Sequence, residues 1–172
     1  MRWEALFTDL EGQMAAAHDD DWRAEVAERT RGERTGIDLP SRIAAAQGAS
    51  LSIVLSDGTV LAGVVTDSAH AWLLLVDAGG REHLVPMAAV ASVDGLSGAA
   101  HHVTEVERRL GISHALRALS RDRARVQVRT RGSETHGVIA AVFGDHIDLV
   151  TDAPHRHRVA VPTAAIIEVA SS

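Results

Sequence analysis

One stretch of this chain occurs twice, and that repetition limits what it can fold into more than any other feature. Residues 51–93 read LSIVLSDGTVLAGVVTDSAHAWLLLVDAGGREHLVPMAAVASV, and residues 126–169 read VQVRTRGSETHGVIAAVFGDHIDLVTDAPHRHRVAVPTAAIIEV. Each copy carries a Gly-x4-Gly hairpin signal, Gly58/Gly63 and Gly132/Gly137. Each closes on Val-Pro-x-Ala-Ala-Val/Ile: Val85, Pro86, Ala88, Ala89, Val90, then Val161, Pro162, Ala164, Ala165, Ile166. A unit of about 45 residues buries too little surface to be stable alone, so the copies must pack on each other or on helices.

The local pattern within each copy is that of short strands. Leu51, Ile53 and Leu55 alternate with Ser52, Val54 and Ser56, which places apolar side chains on one face. Asp57-Gly58 is a two-residue hairpin signal, because glycine tolerates the positive φ the turn demands. Strands follow at Val60–Asp67, Ala71–Val76, Arg81–Val85 and Val90–Val93, with a single helical turn at Pro86–Ala89. Ala71–Val76 is apolar on both faces and is expected to be covered on both. The second copy gives Val126–Thr130, Thr135–Phe143, His146–Thr151, Arg156–Val161 and Ile166–Val169. Five short strands with one helical turn before the fifth describe a small SH3-like barrel. The expected fold is mainly β with N-terminal α-helices: two tandem five-stranded barrels preceded by a helical arm. Residues 1–36 form the arm, 37–97 the first barrel, 98–113 a linker and short helix, and 114–172 the second barrel.

Amphipathic periodicity defines the arm. Trp3, Phe7, Leu10, Met14 and Ala17 recur at spacings of 4, 3, 4 and 3, a continuous stripe on one helical face. Asp19, Asp20 and Asp21 suit the start of a second helix, where carboxylates meet free N–H groups and the positive end of the dipole. The stripe either docks on the barrels or joins chains; Trp3, Phe7, Leu10 and Met14 are the candidate self-association residues. Pro40 and Ser41–Gln47 lead into the first barrel as a short helix, as residues 105–122 do for the second.

Composition excludes several chemistries. With no cysteine there are no disulfides, thiolate metal sites or cysteine nucleophiles. No apolar run approaches the roughly 20 residues of a membrane helix, and the N-terminus has no signal-peptide core, so a soluble cytoplasmic protein is expected. A net charge of −6 argues against wrapping duplex DNA. Its distribution says more: residues 1–40 hold ten acidic and five basic side chains, whereas residues 105–131 hold eight arginines against three acids.

Gly-x4-Gly, the strand order, the helical turn and the closing strand resemble the Sm-like superfamily, whose members include the Sm/LSm ring proteins and the bacterial RNA chaperone of that fold. The resemblance covers about 50 residues, twice. It implies RNA binding by the loop after the second strand, here Ser68-Ala69-His70-Ala71 and Phe143-Gly144-Asp145-His146. It also implicates the loop before the fifth, Val85-Pro86-Met87 and Val161-Pro162-Thr163. The opening MRWEALFTDLEGQ is similar to that of an actinobacterial protein family.

Candidate binding residues come from charge. Arg108, Arg109, Arg117, Arg121, Arg123, Arg125, Arg129 and Arg131 fall within one short segment. Arg117, Arg121 and Arg125 are read along one helical edge, and Arg125, Arg129 and Arg131 along one side of the following strand. Guanidinium forks suit phosphate oxygens, or the stripe pairs with the acidic arm. A helix-turn-helix reading of residues 104–122 (Glu105–Leu110, Gly111-Ile112-Ser113, His114–Asp122) has suitable lengths, but its small and apolar positions fall on Glu107, Arg117 and Ser120. Among ten histidines, His83, His101, His102, His155 and His157 are candidate metal ligands, with surface histidines the plainer account and no metal expected. No catalytic set, cofactor motif or small-molecule substrate is evident. The leading expectation is a non-enzymatic binding or scaffold module with RNA as candidate partner. One alternative is a protein–protein assembly module joined through the arm or the barrel edges; the other is a DNA-binding regulator.

Overall fold

The computed structural model describes Arg23 and residues 36–101, 104, 108–152 and 156–172. Except for Arg23 and Gly36, the arm read from residues 1–36, including Trp3, Phe7, Leu10 and Met14, lies outside the described residues. Leu39–Ser172 forms one compact unit.

Among the described residues the unit is mainly β, with ten antiparallel strands in one open sheet and two helices. Its first half consists of α1 (Leu39–Ala45), β1 (Ser50–Leu55), β2 (Val60–Ala69), β3 (Trp72–Val76), β4 (Glu82–Pro86) and β5 (Val90–Asp94). The second consists of α2 (Ile112–Arg121), β6 (Arg125–Thr130), β7 (Glu134–Val142), β8 (His146–Thr151), β9 (Arg158–Pro162) and β10 (Ile166–Ser171). One 3-10 turn precedes the last strand of each half, Met87–Ala89 and Thr163–Ala165. The sheet order is β5-β1-β2-β3-β4-β10-β6-β7-β8-β9, so each half repeats the same order and the halves meet where β4 pairs with β10.

The glycines common to the two copies act in different ways. Gly58 has φ +87 and permits the β1–β2 turn. Gly132 has no positive φ; the β6–β7 turn is held by Thr130 and Ser133, with the Thr130 N–H donating to the Ser133 carbonyl at 2.8 Å. Gly63 and Gly137 are needed for space. A Cβ on Gly63 would sit 2.5 Å from the Val76 carbonyl oxygen, and one on Gly137 would strike that of Val150. These glycines therefore set the close approach of β2 to β3 and of β7 to β8.

Alternation builds two cores on the two sides of the sheet. Ile43, Leu51, Ile53, Leu55, Val65 and Leu75 fill the first, and Leu116, Val126, Val128, Ile139, Ile147 and Leu149 fill the second. The cores interlock at the seam. Ile167 of β10 lies in the first core, while Trp72, Leu84 and Ala69 of the first half lie in the second. This explains why β3 is apolar throughout: Leu73 and Leu75 face one core, Trp72 and Leu74 the other. The two copies are not buried alike: Pro86 and Ala89 are buried, whereas their counterparts Pro162 and Ala165 are exposed.

Few backbone pairs make the seam; only Leu84↔Val169 and His83↔Ala170 are in register. Side chains complete it. Glu168, 3% exposed, places Oε1 2.5 Å from His83 Nδ1, and His83 Nε2 lies 3.2 Å from Asp77 Oδ2. Arg129 Nε stands 3.3 Å from Glu168 Oε2, an ion-pair contact without hydrogen-bond alignment, and its Nη1 donates to the Thr59 hydroxyl at 2.9 Å. Arg81 donates from Nε to the Ser171 carbonyl at 2.7 Å and from Nη2 to Gln127 Oε1. Removing one member of a buried ionic group strands the others. Glu168→Ala is therefore expected to destabilise the protein by about 3–5 kcal/mol, read as a lower urea midpoint. A loss under about 0.5 kcal/mol would show that the group does not hold the seam.

Candidate nucleic-acid interface

The α2 helix begins at Gly111, an extended N-cap, and ends at Asp122, after which Arg123 takes φ +49. Ile112 and Ser113, read from sequence as a turn, are therefore helical, and Glu105, Val106 and Glu107 lie outside the described residues. Arg125 starts β6 and does not continue the helical edge, because the left-handed residue at 123 turns the chain away. Leu116 is fully buried, and the Ser120 hydroxyl donates to the Ile139 carbonyl of β7 at 3.1 Å. These two contacts fix which side of α2 meets β7. His114, Arg117 and Arg121 lie on the exposed side at spacings of three and four, one edge of the helix.

That edge borders a recess of about 290 Å³ lined by His114, Arg117, Ser120, Arg121 and Val142. Val142 ends β7, and Phe143–Asp145 connect it to His146, the first residue of β8. Phe143 is 44% exposed and stacks on His146, ring centroids 4.5 Å apart and planes 13° from parallel. The Phe143 N–H donates to the His146 carbonyl at 2.9 Å, and Asp145 Oδ1 lies 2.6 Å from His146 Nδ1. The Asp145 carbonyl accepts both the N–H (2.8 Å) and the hydroxyl (2.9 Å) of Thr163, tying the loop to the 3-10 turn before β10. A stacked pair with an exposed Phe143 is thus held in place directly after Val142, which lines the recess with the two arginines.

The eight arginines separate into groups. Arg129 is taken up by Glu168, Glu134 (3.7 Å) and Thr59, and Arg125 by Asp152 at 2.7 Å. They do not form a free phosphate-facing side of β6, because their partners come from strands and turns that sequence alternation does not reveal. Arg108, Arg117, Arg121, Arg123 and Arg131 are exposed and have no ion pair among the described residues. Arg109 is exposed and engaged in a contact of its own. Only Arg117 and Arg121 share the recess with Val142. The Phe143–His146 stack has one sequence signal: Phe and His bracket Gly-Asp in a turn after an apolar strand.

His83 and His157, considered as ligands, have other neighbours: His83 lies between Asp77 and Glu168, and His157 Nδ1 lies 3.1 Å from the Thr151 hydroxyl. His102 and His155 fall outside the described residues. Compared with protein-family models, curated proteins and solved structures, the chain matches none. No helix among the described residues is long and apolar enough to cross a membrane.

Four carboxyls are held below their ordinary values. The Arg81 N–H, then the His83 ring, lower Asp77; the Thr59 N–H lowers Asp57. The Gln127 side chain, then that of His136, lowers Glu134, and the His146 ring lowers Asp145. A depressed folded-state pKa stabilises the fold above the unfolded value and ceases to do so as pH falls through the folded value. The midpoint of urea unfolding is accordingly expected to hold from pH 7 to about 5. It should fall as pH drops below the ordinary values of 3.8 and 4.5. A midpoint unchanged at pH 3 would contradict these hydrogen-bond assignments.

Proposed function

We propose that the protein is a non-enzymatic RNA-binding scaffold of the Sm-like type. In this reading its two halves are small five-stranded barrels fused through one sheet, and single-stranded RNA lies along the α2 edge. The observation that carries it is the stacked Phe143–His146 pair, which follows directly on Val142, the β7 residue that shares a recess with Arg117 and Arg121. Single-strand binders combine a cationic track for the backbone with aromatic faces on which bases stack. Guanidinium forks match phosphate oxygens, and stacking tolerates any base, so low sequence preference is expected. With a net charge of −6, attraction is confined to this local patch, which suits a short single strand better than a wrapped duplex. The loop concerned is one that the Sm-like resemblance implicates in RNA contact.

Filter binding of a short oligouridine at two salt concentrations tests the proposal. Affinity should fall with salt, and Arg117→Ala/Arg121→Ala should lower the log–log slope by about 1.4, or about 0.7 per lost phosphate contact. Phe143→Ala should cost about 1–3 kcal/mol of binding, whereas Arg125→Ala, whose guanidinium is occupied by Asp152, should bind as the parent does. Absence of binding at low salt removes the proposal.

A second reading, assembly of copies through sheet edges, is favoured by one observation: β5 and β9 each have a single neighbour in the sheet. The seam pairs the fourth strand of one half with the last strand of the other, so β9 of one copy matches β5 of the next. The match is weaker than the internal one. By alignment of the repeats, Ile167, Glu168 and Ala170 of β10 correspond to Ala91, Ser92 and Asp94 of β5, which removes the apolar insert and the buried ionic group. Light scattering across a concentration series should therefore show reversible, concentration-dependent self-association that Ala160→Pro on β9 abolishes. A monomer at every concentration removes this reading.

A further inference from the structure

We draw no further inference here: the strongest candidate, the exposed apolar face of β2 formed by Val60, Ala62 and Val64, carries nothing because no observation in the structure shows what covers it.

Discussion

Pairing of β4 with β10 is the contact on which the whole arrangement depends, because it gives the two halves one sheet and places residues of each in the core of the other. Backbone hydrogen bonds cannot supply much of its strength, since only two residue pairs are in register there. The rest comes from Ile167 entering the first core, from Trp72 and Leu84 entering the second, and from the buried Glu168 group. Burying a side chain such as Ile167 contributes about 1.5–3 kcal/mol relative to leaving it in water. The ionic group adds specificity. A slip of one residue would turn Glu168 away from His83 and Arg129 and leave charge buried without a partner, so the register is set by what any other register would cost.

The seam also explains which parts of the sequence could be read directly. Strand positions and the repeat follow from alternation, because each strand has at least one face that must be apolar. The fully apolar run at Trp72–Val76 marks a strand covered on both sides, and it lies between the two cores. Gly63 and Gly137 stand out as paired glycines, but the reason for them, a neighbouring carbonyl too close to admit a Cβ, depends on strand contacts that spacing does not give. Gly132, in the equivalent place to Gly58, lacks the left-handed conformation because Thr130 and Ser133 close that turn through side-chain and backbone hydrogen bonds.

The arginines show where sequence reading stops. Alternation places Arg125 and Arg129 on one side of β6, but it says nothing of what lies opposite. Glu168 arrives from β10, Thr59 from the first half and Asp152 from the end of β8, all distant in sequence. A basic stripe thus divides into residues that hold the fold and residues left open to solvent. The aromatic pair was hidden for the opposite reason. With aromatic residues at only 3%, composition disfavours base stacking, yet one Phe and one His at the two ends of the β7–β8 turn make a stack as soon as the turn is pinned to Thr163.

Duplication made the two halves alike, and the seam made them unequal. Once β10 carries Ile167, Glu168 and Ala170, it can serve as the inner strand, whereas the smaller and charged β5 suits the outer one; Asp94 is the kind of edge charge that discourages further pairing. The same inequality extends to the helices. Both α1 and α2 seal a core through one fully buried side chain, Ile43 and Leu116. The α2 helix lines a recess with the seam strands, and its two sides border surfaces of opposite charge, Arg117 and Arg121 on one and Asp67 and Glu82 across the other. His114 lines the recess on each side of the helix. The placement of both recesses thus depends on one anchoring, the buried Leu116 and the Ser120 hydroxyl bonded to the Ile139 carbonyl.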